Sequence, residues 1–246
     1  STSIILRYNR FWFIVYELRP FFRLTKKQGM NKGTIQVDVI SDVACPWCYV
    51  GKRRLEEALK EWKGIPVEVK WHPYQLDPTM REEGMDRDTY LTNKFGSIHR
   101  VQDMTDRLTE TGKTVGIEFN FGDNWLAVNT MKMHQLLNIA CEEGFGIEMK
   151  ERFLAAYFEE TQHLNKPEVL YAIAKEFGWN QEKVDSIIND KEIEKAVINE
   201  IAHYQQRGVS GVPFFVINDE FGISGAQPVE AFLEAFQSIS PVQEGK

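Results

Sequence analysis

The sequence predicts an α/β fold in which a strand–helix–strand unit and a later hairpin-plus-helix unit flank a long helical block. Three observations carry this. Residues 34–40 and 67–71 alternate with β-branched side chains on either side of an amphipathic stretch. Residues 81–208 show helical spacing and no convincing strand. The strand pattern then returns at Pro213.

Taken in order, Thr34 to Ile40 (TIQVDVI) is the first strand. Ser41-Asp42-Val43-Ala44-Cys45-Pro46-Trp47-Cys48 leads into a helix whose apolar positions are Val50, Leu55, Ala58, Leu59 and Trp62. Gly64 and Pro66 stop it, and Val67 to Trp71 is the second strand. Helices are expected at Trp125–Glu142, Lys150–Phe158, Lys166–Phe177, Gln181–Ile188 and Ile193–Arg207. Asn165 is the expected N-cap ahead of Lys166-Pro167, and Gly178 the stop after Phe177. Pro213–Asn218 reads as a buried strand, Asp219-Glu220 as a turn, and Phe221–Ser224 as its hairpin partner. Pro228 opens a last helix, Val229 to Phe236.

At 246 residues the chain can bury an ample core without disulfides or a structural metal. Three cysteines exclude a disulfide scaffold, and a net charge of −7 argues against nucleic-acid or anionic-membrane partners. The charge is uneven. Residues 1–29 carry six basic side chains against one acid, Glu17, and leave a body of net −12. Their aromatic run, Phe11 to Tyr16, is too short and too closely flanked by arginine for a signal peptide or a spanning helix. Residues 1–29 are therefore expected to be an extension outside the fold. Without an export signal the cytoplasm is the expected location.

Cys45-Pro46-Trp47-Cys48 lies where a strand passes into a helix. In a βαβ context this spacing reads as a redox pair. Helix-start amides and the helix dipole stabilise the first thiolate, so a depressed pKa is expected at Cys45. A zinc site would need two further Cys or His ligands, and no second pair is present; no metal is expected. His72, His99, His134, His163 and His203 show no ligand spacing and read as structural or solvent-facing. Cys141, among Leu136, Leu137 and Ile139, reads as a buried structural thiol. Lys52-Arg53-Arg54 reads as a solvated face or a patch for carboxylates. Asp42 is expected to bond local N–H groups, and Trp71, Tyr74 and Trp125 to line a cleft or the core.

The motifs SDVACPWCYVGKRRLE, WHPYQLDP, AYFEE and GVSGVPFFVINDEFGISGAQP resemble the DsbA family, and within it the FrnE-like branch, from Thr34 to about Phe236. The resemblance implies an α/β thioredoxin fold (βαβ…ββα) with a large all-helical insertion between its halves. Residues 34–80 and 209–240 would form the thioredoxin-like domain and 81–208 the insertion. It also implies thiol–disulfide exchange, with Cys45 as nucleophile, Cys48 as resolving cysteine and Pro46-Trp47 tuning the potential. Val212 would present its backbone to the partner's cysteine, beside a cis Pro213. Asp38, seven residues before Cys45, is the implied proton acceptor. The implied substrate is a disulfide-bearing protein or small molecule, with no tightly bound cofactor and with glutathione as a conceivable co-substrate. Kappa-type glutathione transferases and hydroxychromene-carboxylate isomerases share the insertion and the Val-Pro loop but usually carry serine at the position of Cys45. A glutathione-dependent isomerase or transferase is therefore the alternative function, and since those relatives are often dimers, a homodimer is one expectation.

Overall fold

The computed structural model describes residues 21–23, 33–122 and 124–239. One mixed sheet contains β1 (Phe21–Arg23), β2 (Ile35–Ser41), β3 (Val67–Pro73), β6 (Phe214–Ile217) and β7 (Phe221–Ser224), in the spatial order β1-β7-β6-β2-β3. β2 is parallel to β3, with Val39 opposite Trp71, and antiparallel to β6, with Val39 opposite Phe215. The parallel pairing needs a crossover, and α1 (Pro46–Glu61) supplies it. The reverse turn between β6 and β7 places Asn218 and Asp219 at φ 51° and 54°, a conformation that short polar side chains tolerate.

Register divides the sheet into two faces. Val37, Val39, Phe215 and Ile217 pack with Leu55 and Ala58 of α1 and with Phe232 and Phe236 of α9 (Val229–Ile239). Ile40, Phe214 and Val216 face the other way, against Tyr204 of α8 (Lys191–Gln206). A period of two makes both faces apolar wherever the strand is central, which is why β6 is buried along its whole length.

Between β3 and α8 the chain is mainly helical, with α2 (Arg87–Phe95), α3 (Ile98–Thr114), α4 (Met131–Glu142), α5 (Gly146–Phe158), α6 (Pro167–Glu176) and α7 (Gln181–Ile188). Its core is aromatic: Phe119 stacks on Phe121, Phe158 meets Phe121 and Tyr157 edge-on, and Trp125 lies tilted against Tyr157. α5 docks on α1 through charge, since Glu151 binds Lys52 Nζ at 2.6 Å and also Arg53, while the Tyr49 hydroxyl donates to Glu159 at 2.6 Å.

Four expectations need correction. The block is not free of strands, because β4 (Met85–Asp86) pairs antiparallel with β5 (Leu126–Ala127). That pairing takes Leu126 and Ala127 out of the expected helix, and α4 begins only at Met131. Asn165 does not cap α6. Lys166, held extended by the proline that follows it, is the N-cap, and Asn165 instead donates to the Glu83 carbonyl at 2.9 Å. Phe21–Arg23, within the segment expected to stand outside the fold, pair antiparallel with β7; the remainder of 1–29 lies outside the described residues.

On the α8 face, His72 joins sheet to helix. Its Nε2–H donates to Asp38 Oδ1 at 2.8 Å and its Nδ1–H to Glu200 Oε1 at 2.6 Å. Two carboxylate acceptors require both ring nitrogens to be protonated. Burial disfavours that cation, but the two hydrogen bonds and the charges behind them prevail and raise the His72 pKa above its ordinary value. Such a raised group stabilises the fold fully below its unfolded pKa, about 6.5. The contribution fades as pH rises through the folded value. The urea midpoint is thus expected to fall on that alkaline limb, and His72→Gln to flatten it; an unchanged slope in the variant would remove the assignment.

Gly51 sits where α1 crosses the loop before β6. A Cβ there would lie 3.0 Å from Pro213 Cγ and 3.1 Å from Phe215 Cζ. Gly51→Val is expected to cost about 1–3 kcal/mol by overpacking, read from the urea-denaturation midpoint at constant slope.

Candidate active site

The two sulfurs occupy the junction that the sequence assigns them. β2 ends at Ser41, a short loop follows, and Cys45 is the N-cap of α1 with extended backbone (φ −104°, ψ 108°). Pro46 stands in the first turn, where its missing N–H breaks no helical bond. One turn in, the Cys48 N–H donates to the Cys45 carbonyl at 3.0 Å. Both cysteines are free thiols, each 1% exposed.

The loop before β6 closes over them. The Val212–Pro213 peptide bond is cis, and Pro213 packs on Gly51 of α1. This places the Val212 carbonyl 3.6 Å from Cys45 Sγ, which donates to it. Trp47 is half-buried, touching both the insertion core and the cluster that holds the sulfurs. Tyr74 is buried in that same cluster. Cys45, Pro46, Trp47, Cys48, Val212 and Pro213 are therefore brought together.

Asp38 is not. It faces α8 and is engaged by His72, as described above. The carboxylate beneath the sulfurs is Asp42, 1% exposed. It accepts from Ala44 N–H at 3.4 Å, the local bonding expected of it, and also from the distant Leu76 N–H at 2.8 Å and His134 Nε2–H at 3.2 Å. Burial alone would raise its pKa; the His134 hydrogen bond and charge, with the Leu76 amide, outweigh that and hold the carboxyl below the usual carboxylate range. His134 also donates to the Tyr74 carbonyl at 2.9 Å. It thus fixes the loop that carries the pair.

The expected depression of the Cys45 pKa is not what this geometry produces. Burial pushes the thiol up, the hydrogen bond and charge of Cys48 push it further, and Asp42 adds to both. The Cys48 N–H pulls the other way and does not prevail. A thiol donating to the Val212 carbonyl is also favoured in its protonated form.

Other sequence readings also change on contact with the structure. Cys141 is exposed at the end of α4, not buried; Gly146 lies so close that a Cβ there would be 2.2 Å from its sulfur. Lys52-Arg53-Arg54 is no solvated face: Lys52 is buried between Glu56 and Glu151, and Arg54 donates to the Ala226 carbonyl at 2.5 Å. Trp125 is core. Three residues went unremarked in sequence. Lys94 and Tyr90 of α2 bond each other at 2.9 Å, and Lys94 feels the charges of Asp77, Asp42 and Cys45. Lys150 is almost wholly buried; its signal is its place on the stripe Lys150–Leu154–Tyr157, otherwise apolar.

Among the described residues no helix is long and apolar enough to cross a membrane, and no cluster of three His, Cys, Asp or Glu side chains is arranged to hold a metal ion.

Comparison with known proteins agrees with the geometry. The family model of the DSBA-like thioredoxin domain matches residues 36–237. The uncharacterized protein YwbO of Bacillus subtilis (strain 168) is 28% identical over 214 residues, spanning 87% of this chain and all of that protein. Among solved structures, the probable DsbA oxidoreductase SCO1869 of Streptomyces coelicolor is 32% identical, with a TM-score of 0.79 over 86% of this chain and 92% of its own. A 2-hydroxychromene-2-carboxylate isomerase shares the fold at 15% identity and a TM-score of 0.64, over 83% of this chain and 95% of its own. With a family match over most of its length and the Cys45/Cys48 pair at the start of α1, the chain belongs to the DsbA-like thioredoxin family.

Proposed function

We propose that the protein is a thiol–disulfide oxidoreductase of the FrnE-like branch, working as a reductase or isomerase of protein or small-molecule disulfides. The observation that carries this reading is the contact of Cys45 with the Val212 carbonyl, with Cys48 one turn behind. An extended substrate segment pairing with the Val212 backbone would take that carbonyl and release the sulfur to attack. Cys45 thiolate then displaces one substrate thiolate, forming a mixed disulfide. Cys48 attacks Cys45 Sγ, the second substrate thiolate leaves, and two electrons have passed to the substrate. Two molecules of glutathione could restore the dithiol, becoming glutathione disulfide; glutathione is proposed as co-substrate, not as a resident cofactor.

The raised Cys45 thiol supports one direction of electron flow. Strong oxidants of this fold owe their potential to a stabilised reduced form with a low-pKa thiolate. Cys45 is shifted the other way, which supports the reducing side.

Insulin reduction tests the activity: wild type is expected to be active and Cys45→Ser inert. A serine variant that keeps activity with glutathione and a small electrophile would favour the isomerase or transferase reading instead. The reduction potential against glutathione is expected nearer about −270 mV than about −120 mV. Thiolate absorbance against pH is expected to give a Cys45 midpoint above about 8.5. A midpoint well below that would show that the helix start governs the sulfur after all.

A further inference from the structure

One carboxylate gathers the segments that hold the redox turn. The Asp42 carbonyl accepts from the Cys45 N–H at 3.4 Å, and its Oδ1 accepts from the Ala44 N–H at 3.4 Å. Its Oδ2 reaches the loop after β3, where the Leu76 N–H donates at 2.8 Å. His134 of α4 donates its Nε2–H to Asp42 Oδ1 at 3.2 Å and to the Tyr74 carbonyl at 2.9 Å. The Tyr74 N–H in turn donates to the Ser41 carbonyl at 3.1 Å. The end of β2, the redox turn, the loop after β3 and the helical insertion therefore meet at the Asp42–His134 pair.

Asp42 is 1% exposed and His134 2%. A buried acid with its partner is seldom more stabilising than apolar residues of the same size, so stability is a poor reason for the pair. What a fully bonded buried network supplies is one fixed arrangement. The arrangement fixed here is that of Cys45, which follows Ala44 directly and ends with its Sγ 3.6 Å from the Val212 carbonyl. Tyr74, whose carbonyl His134 holds, packs in the same buried cluster as Cys45, Cys48 and Val212. His134 is thus bonded both to the turn that bears Cys45 and to a residue packed in the cluster around it. It also acts on charge. Burial opposes ionisation of Asp42, and the His134 bond helps to overcome it.

We propose that His134 is a positioning residue for the exchange: by holding Asp42 and Tyr74 it seats the Cys45 thiol against the Val212 carbonyl and keeps an anion in its turn. The role rests on the oxidoreductase reading above. A residue of the insertion, and not the Cys-Pro-Trp-Cys segment alone, then sets the reactivity of the pair. Without His134 the redox turn loses its anchor to α4. Asp42, left buried without that donor, takes up a proton. Release of the sulfur from its cover and loss of the anion in its turn act in the same direction, and both ease ionisation of Cys45.

The test is the pH profile of alkylation of the reduced protein by iodoacetamide, read at Cys45 by mass spectrometry. His134→Met is expected to lower the Cys45 midpoint by about one pH unit. At neutral pH its rate should rise about threefold, because a gain of about tenfold in thiolate is partly offset by weaker nucleophilicity. His134→Gln, whose amide can still donate to Asp42, should bring the midpoint back toward wild type. A residue needed only for stability would lower the urea midpoint in His134→Met and leave the Cys45 profile unmoved, and that result overturns the proposal. So does a His134→Gln midpoint equal to that of His134→Met. Should His134→Met fail to fold, Asp42→Asn decides: it removes the anion and keeps an acceptor, its midpoint is expected to fall, and an unshifted one overturns the proposal. Alkylation needs no substrate, so the two readings fail separately. A wild type that reduces insulin while the His134→Met profile stays unchanged removes this proposal alone. A wild type inert toward insulin removes the oxidoreductase reading, and the role of His134 in the exchange with it.

Discussion

Cys45 and Val212 are 167 positions apart, yet the thiol of one donates to the carbonyl of the other. Meeting that single requirement constrains much of the fold. β2 must lie between β3 and β6 so that the loop after β2 and the loop before β6 open at the same end. α1 must approach the second loop closely enough that a Cβ at position 51 would crowd Pro213 and Phe215. The apolar residues of β2, β6, α1 and α9 supply the burial that holds these elements in register. The insertion then needs only to return the chain to β6 at the right place.

Charge is distributed with the same economy. Where the fold buries an ion for structure, it surrounds it: Lys52 has two carboxylates, Asp42 has a histidine and two amides, and His72 has an acid on each nitrogen. These arrangements join segments distant in sequence, α1 to α5, the redox loop to α4, and β3 to α8. Lys150 departs from the pattern: it is buried without an ion pair among the described residues, its Nζ 5.4 Å from the centroid of the Trp71 ring.

Much of this was legible in the sequence. Strand alternation located β2, β3, β6 and β7 within a residue or two, because a central strand must present branched side chains to both faces. The C-x-x-C spacing marked the reactive centre, since it depends on local backbone geometry, and resemblance to the DsbA family added the Val-Pro loop. What eluded sequence depends on partners. Asp38 looked available until His72, 34 positions away, occupied it. The start of α4 was misplaced because Leu126 and Ala127 continue an apolar rhythm while pairing with Met85 and Asp86. Cys141 sits among apolar neighbours in sequence, but the end of its helix faces solvent. The Cys45 thiol was expected low from its helix position, and its burial by a distant loop could not be read from local residues.

The separation of Cys45 from its cover has a consequence during synthesis. A chain emerges from the ribosome at about 5–20 residues per second, so Val212 follows Cys45 by roughly ten to thirty seconds. Throughout that interval both thiols are present without the carbonyl and the proline that enclose them. The whole helical insertion must be made before the loop arrives, and the contact it closes is among the most non-local in the molecule, the kind that forms slowly. The nascent protein therefore carries its reactive pair uncovered, open to exchange with passing disulfides, after which its own Cys141 could displace the partner thiol and close a non-native disulfide. A cell that keeps its thiols reduced is the setting in which such a chain is made most safely.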